Sequence, residues 1–314
     1  MTGRHGAPVQ IPWSDYVVHL PMPHAFGAER AAEKAKLLEK VRYFLLVGSL
    51  MRPRRIAQHV AKELGMPWVG TYFNLLDDHA VADREFNIEV VGLGTDPDVH
   101  VAIVSHGIGG SGAEIVLREL SALVHVAQEA AGNAWQPICG VGRSGTRGTL
   151  ADIAYGTIGI SSASFRDDFT VSLPDPTLQA HLVAAATESG FPYALGKGIS
   201  TDLFWTGQGR VTPREGFEPA HIRETRLARA QAMLWSWVEA GIEFIEMEDF
   251  TVHAVCHSLG IPSVSAGAIV ARRFDAAQGA FVLDYDAEAK ERSELLPAIA
   301  ILRAFASHWR VAQG

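Results

Sequence analysis

The chain has 314 residues, a formal charge of −8 and 48% hydrophobic residues. An acidic excess of this size excludes a protein that coats nucleic acid through a general basic surface, although the clustered Arg52, Arg54 and Arg55 keep local positive charge available. Two cysteines (Cys139 and Cys256, both in apolar surroundings) exclude a disulfide framework. The chain also lacks a signal-peptide core after Met1 and any apolar run of the roughly 18 residues a membrane helix needs, so the expected location is cytoplasmic.

Short apolar runs alternate with longer amphipathic ones. In chain order the pattern predicts strand Tyr43–Val47, helix Arg54–Leu64, strand Val99–Val104, helix Ala113–Ala130, strands Pro137–Val141 and Thr157–Ser161, and helices Leu178–Glu188 and Glu224–Ala240. Strand Phe244–Met247, helix Phe250–Leu259, strand Val264–Val270 and helix Leu295–Ala306 follow. Most of the strands are rich in Val, Ile and Phe, and several end in Gly or Ser. Val116, Leu120, Leu123 and Ala127 give their helix one apolar face. This alternation implies an α/β fold around a largely parallel or mixed sheet. No Pro/Ser/Gly-rich linker and no internal repeat divides the chain. The expected organisation is an N-terminal arm over 1–40 and a single catalytic domain over 41–314. The largely polar stretch Asp275–Arg292 reads as a surface excursion.

Six segments carry chemistry. In Val47-Gly-Ser-Leu-Met-Arg52 a strand ends at Gly48 and a helix starts soon after Pro53. Glycine lets a ligand approach the backbone, a helix N-terminus favours an anion, and Arg52 adds forked donors; a tight turn with a solvated arginine is the plainer alternative. Ser105-His-Gly-Ile-Gly-Gly-Ser111 is either a backbone cradle for phosphate or a close-packed turn. Arg143-Ser-Gly-Thr-Arg-Gly148 follows a predicted strand. Its two arginines, hydroxyls and glycines suit an oxyanion pocket in a strand-exit loop, or a basic surface turn. Phe204-Trp-Thr-Gly-Gln-Gly-Arg210 pairs a stacking face with Gln208, a donor and acceptor, and Arg210, a donor; that set matches the edge of a uracil. In Phe244-Ile-Glu-Met-Glu-Asp249, strand alternation extended through Glu248 puts Glu246 and Glu248 on one face, where a carboxylate can accept both hydroxyls of a ribose; a helix-capping role competes. Asp15-Tyr-Val-Val-His19 lies in a β-prone stretch where a lone histidine is ordinarily structural. His253 and His257, spaced i,i+4, have no third metal ligand beside them, so no metal is expected.

These segments, in this order from about Asp15 to Arg272, resemble the uridine phosphorylase branch of the nucleoside phosphorylase family. The resemblance implies an α/β three-layer sandwich around a mixed, barrel-like central sheet. It implies phosphate-dependent cleavage of a pyrimidine nucleoside, with inorganic phosphate as co-substrate and no cofactor. Gly48, Arg52, Arg143 and Thr146 look like the phosphate site, and Arg84 looks like the arginine that reaches into a neighbouring subunit's phosphate pocket. His19 looks like the histidine donated across the same interface to the ribose 5′ side. Glu246, Met247 and Glu248 look like the ribose-binding segment, and Phe204, Gln208 and Arg210 like the base reader. The implied assembly is a homodimer, or a hexamer of three dimers, with shared sites and with neither nucleic acid nor membrane as partner. Leu50-Met51, Asp249 and Ala271 depart from the family pattern: a proline-containing turn, a serine and an asparagine are usual there. The alternatives are a nucleosidase, in which water replaces phosphate, purine specificity, and an inactive nucleoside-binding homologue.

Overall fold

The computed structural model describes residues 17–78, 86–94, 96–202 and 220–313. In chain order the elements are α1 (Ala28–Leu38), β1 (Val41–Val47), α2 (Arg52–Glu63), β2 (Trp68–Asn74), the short α3 (Leu75–Asp78), β3 (Asn87–Gly92), β4 (His100–Ser105), α4 (Gly110–Ala130), β5 (Gly140–Thr149) and β6 (Ile158–Arg166). They continue with β7 (Val171–Ser172), α5 (Pro176–Glu188), β8 (Tyr193–Ser200), α6 (Ala220–Glu239), β9 (Phe244–Glu246), α7 (Asp249–Leu259), β10 (Ser263–Asp275), β11 (Ala280–Tyr285), α8 (Ala287–Ser293) and α9 (Leu296–Gln313).

Strand β1 shows why the fold is layered. Its side chains alternate faces, and both faces are apolar, so both need cover. Tyr43, Leu45 and Val47 pack with Ile56 and Val60 of α2, Leu178 and Leu182 of α5, and Ile301 and Phe305 of α9. Phe44 and Leu46 pack on the opposite side with Leu38 of α1, Val116 and Leu120 of α4, and Val252 of α7. Two helical layers therefore sandwich one sheet. Each fully buried Leu or Phe contributes about 2 kcal/mol from lost water contact. The layers sit close: a Cβ on Gly142 of β5 would stand 2.3 Å from Ile301 Cγ2.

The described strands form one mixed sheet in the order β11-β10-β6-β8-β9-β5-β1-β4-β3-β2, with β7 on β6. Pairs β1–β4, β1–β5, β5–β10, β6–β8 and β8–β9 are parallel; β2–β3, β3–β4, β5–β9, β6–β10, β6–β7 and β10–β11 are antiparallel. Because β5 pairs with β9, β10 and β1, the circuit β5–β10–β6–β8–β9 closes on itself.

Several sequence expectations need correction. Strands β2, β3, β7, β8 and β11 and helices α1, α3 and α8 went unread. Strand β8 contains Gly196 and Gly198, which mask a strand pattern. Gly196 is there because a Cβ would stand 2.0 Å from Glu243 Oε2. Residues 143–148 are not a strand-exit loop but the body of β5. Residues 275–292 hold the β10–β11 hairpin and α8, whose Ala289 and Ser293 are buried. His19 lies in a bend, not a strand.

Candidate active site

Three chain turns and the body of one strand meet on one side of the sheet. After β1, Gly48 and Ser49 lead into α2, whose first residue is Arg52 rather than Arg54 as the sequence predicts. After β4, His106-Gly-Ile-Gly109 leads into α4. Gly107 (φ 78°) and Gly109 (φ 93°) adopt the left-handed region that favours glycine. The bare Gly48 lets the two turns close, since a Cβ there would come within 3.1 Å of the Gly107 carbonyl. β5 contributes Arg143 and Thr146 from its interior, and β9 leads through Met247 and Glu248 into α7.

These turns enclose a cavity of about 750 Å³. Gly48, Arg52, Arg143, Thr146, Glu246, Met247 and Glu248 all line it, so seven residues nominated from three separate stretches share one space. His19 does not line it. Both the His19 and Leu20 N–H groups donate to Glu119 Oε2 of α4, at 2.7 and 2.8 Å, and the His19 ring Nδ1 meets Glu119 Oε1. Arg84, Phe204, Gln208 and Arg210 lie outside the described residues. The hairpin and α8 also reach the cavity, through Arg273, Tyr285 and Lys290, and sequence reasoning did not find them.

Arg143 is the centre of the charge arrangement. It is buried, with one Nη donating to Glu248 and the other 3.3 Å from Asp249 Oδ1 and 3.8 Å from Glu246 Oε2. Burial opposes its charge, but Glu248, Asp249 and Glu246 outweigh that and raise it further above its ordinary value. Its Nε and Nη1 have no hydrogen-bond acceptor among the described residues. A buried unpaired N–H costs about 1–3 kcal/mol, so two such donors on one cation suit an anionic ligand. Arg52, also buried, is paired to Glu294 at 3.5 Å.

The two glutamates differ. Strand alternation stops at Glu246, because α7 begins at Asp249 and Glu248 has left the strand region (φ −135°, ψ −24°). Glu246 Oε2 accepts the N–H groups of Glu248 and Asp249 at 2.6 and 2.7 Å, and Oε1 accepts from Ser200. Its carboxyl caps the start of α7 from within β9. Burial and then Asp249 push it up, to about 8. Glu248 makes fewer commitments: Oε1 accepts the Gly109 N–H at 2.8 Å, and Oε2 meets Arg143.

His253 is not arranged for metal. Its ring nitrogens meet Ser263 Oγ at 2.8 Å and Ser265 Oγ at 3.2 Å. The rings of His106 and His253 are buried, and burial pushes both down to about 4. Unfolding returns them to about 6.5, so the unfolded chain takes up protons first as pH falls. Their stabilisation is intact above about pH 6.5 and lost between 6.5 and 4, by about 1.4 kcal/mol per pH unit for each ring. Glu246 offsets part of this, since its raised value favours the fold as pH drops from 8 towards 4.5. Urea midpoints are expected to fall as pH falls below about 6.5, and to fall less in His253→Gln; an equal slope in the variant removes His253 as a cause.

Gly145 holds the seat for Arg143. A Cβ at that position would lie 2.9 Å from Arg143 Cζ and Nη2 and 3.0 Å from Nη1. Gly145→Ala should therefore displace the guanidinium from its seat. Phosphate or sulfate binding, measured by calorimetry, is expected to weaken by about tenfold or more.

The sequence profile of the Phosphorylase superfamily matches residues 65–306. Human uridine phosphorylase 2 is 24% identical over 317 aligned positions, covering 94% of this chain and 90% of its own. A solved structure from work on two uridine phosphorylases of the oomycete Phytophthora capsici superposes with a TM-score of 0.62 at 25% identity, over 90% of each chain. The chain belongs to the Phosphorylase superfamily and is a uridine phosphorylase-like enzyme of the pentosyltransferase type.

Proposed function

We propose that the enzyme cleaves the N-glycosidic bond of uridine or a related pyrimidine nucleoside with inorganic phosphate, releasing free base and (deoxy)ribose 1-phosphate. The observation that carries this reading is the meeting of Arg52, Arg143, Gly48 and Thr146 with Glu248 in one cavity. Arg143 carries two buried donors without acceptors among the described residues.

In this reading Arg52 and Arg143 hold phosphate beneath C1′, joined by Arg84 of a neighbouring subunit, and Thr146 adds a hydroxyl donor. Glu248, with Met247 against the sugar, orients the ribose hydroxyls, and His19 of a neighbour reaches the 5′ side. Glu246 keeps Glu248 in place by capping α7. The bond opens through an oxocarbenium-like state, as in other glycosyl transfers. Negative charge grows on the leaving pyrimidine, where Gln208 and Arg210 meet it and Phe204 stacks on the ring. A preorganised donor of this type contributes about 3 kcal/mol. Strand β8 supports that placement, since it ends beside the cavity with Ser200 paired to Glu246. The reaction needs phosphate as co-substrate and no cofactor. Shared sites require a homodimer or a ring of three dimers. No helix among the described residues is long and apolar enough to cross a membrane, and both cysteines, Cys139 and Cys256, are unpaired, which fits a cytoplasmic site of action.

The test is base release from uridine with and without phosphate, with the sugar product identified. Ribose 1-phosphate formed only with phosphate supports the reading. Free ribose formed without it supports a nucleosidase, and tight uridine binding with no product supports an inactive homologue. Arg210→Ala is expected to cut uridine turnover by about a hundredfold; unchanged turnover would remove Arg210 from the base site.

A further inference from the structure

Behind Arg143 lies a second charge pair that the proposed reaction does not use. Arg147 sits four residues further along β5, on the same face of the strand. Its Nη1 donates to Ser161 Oγ at 2.7 Å, and its Nη2 donates to Asp249 Oδ2 at 2.5 Å and Ser265 Oγ at 3.2 Å. The guanidinium also lies 5.4 Å from the Phe244 ring centroid. Ser161 Oγ donates to the same Asp249 oxygen at 2.8 Å. Both charged side chains are fully buried. Gly267 of β10 makes the room, since a Cβ there would stand 2.5 Å from Arg147 Cγ.

Asp249 is held on one side only. Oδ2 takes Arg147 and Ser161, whereas Oδ1 makes no hydrogen bond among the described residues and stands 3.3 Å from Arg143 Nη1. Burial disfavours its charge, but Arg147 and Arg143 reverse that and hold it well below the usual carboxylate range. Burying an ion pair is costly, and apolar residues of similar volume commonly do as well for stability. A buried pair here therefore calls for a role besides packing, and the unbonded oxygen points to Arg143. Of the two other carboxylates near Arg143, Glu246 is taken up by the start of α7, and Glu248 is the one assigned to ribose. Once Glu248 turns to the sugar, Arg143 needs a different anchor.

We propose that Asp249, locked by Arg147, is a positioning residue that fixes the guanidinium plane of Arg143 for phosphate. This rests on the phosphate-site reading above. It also gives the aspartate at this position, which departs from the family's serine, and the arginine at 147 one joint purpose.

The test uses the full-length enzyme. Arg147→Ser with Asp249→Ser removes the pair without a net charge change. Arg147→Lys keeps both charges but removes the fork that orients Asp249. Calorimetry with inorganic phosphate, KM for each substrate, and circular dichroism are read for both variants. The expected result for the double variant is a folded protein whose phosphate affinity and phosphate KM worsen about tenfold or more. KM for the nucleoside should stay within about twofold, and Arg147→Lys should lose about threefold or more in phosphate affinity. A folded double variant with unchanged phosphate affinity, or equal losses for both substrates, would overturn the positioning role. If the double variant does not fold, unchanged phosphate affinity in Arg147→Lys overturns it. Wild-type enzyme that binds no phosphate would sink the phosphate-site reading itself, and this role with it.

Discussion

Arg143→Ala is expected to lower kcat/KM for phosphate by about a thousandfold. The variant removes a forked cation that supplies charge-assisted hydrogen bonds inside a buried site, where one donor is commonly worth about 3–4 kcal/mol. It also strands Glu248 without its counter-ion, although Asp249 keeps Arg147, and breaking a buried pair destabilises by about 3–5 kcal/mol. Arg143→Lys separates the two effects. It retains the positive charge between the carboxylates and loses the planar fork. Its thermal midpoint should stay near the wild-type value while phosphate KM rises by about ten- to a hundredfold. Initial rates at varied phosphate and saturating nucleoside, with circular dichroism on the same samples, decide the matter. A lysine variant with wild-type phosphate KM would show that charge alone suffices and that the forked geometry has no role.

Glu248→Gln should act on the other substrate. The amide oxygen can still accept the Gly109 N–H that Glu248 Oε1 now takes at 2.8 Å, so the turn before α4 keeps its anchor. The amide NH2, however, faces Arg143, donor against donor. Two ribose hydroxyls lose a charged acceptor worth about 1.5–3 kcal/mol each, so kcat/KM for uridine should fall by about a hundred- to ten-thousandfold. Phosphate KM should move much less. With 2′-deoxyuridine only one of the two hydroxyls is present, so the same substitution should cost less. Equal losses on both nucleosides would argue that Glu248 shapes the site without touching the sugar.

Glu246 makes different contacts in the structure. Its two oxygens are taken by the α7 backbone and Ser200, so it acts as a cap that holds Met247 and Glu248 at the cavity wall. Sequence alternation could not separate the two glutamates, because β9 ends between them.

Local pattern determined a good deal. Apolar runs such as Tyr43–Val47 and Val99–Val104 marked strands buried on both faces, and the stripe Val116–Leu120–Leu123–Ala127 marked the helix that covers them. Periodicity reports burial, and burial is what these segments share. The ordered segments around Gly48, Arg143, Met247 and Glu248 also identified the family from sequence alone.

Tertiary structure decided the rest. Residues 143–148 read as a loop because charge and glycine are rare in strands. They form β5 because Arg143 finds Glu248 and Asp249, Arg147 finds Asp249, and Gly145 and Gly267 leave room for the two guanidinium groups. The strand β8 hid behind its own glycines for the related reason that Glu243 needs the space at Gly196. Asp249 read as a departure from a pattern or as a helix cap. Its meaning depends on an arginine 102 positions away, on β5. Composition and periodicity record what a residue prefers beside its chain neighbours; a buried charge is tolerated only because of a partner that folding brings from elsewhere.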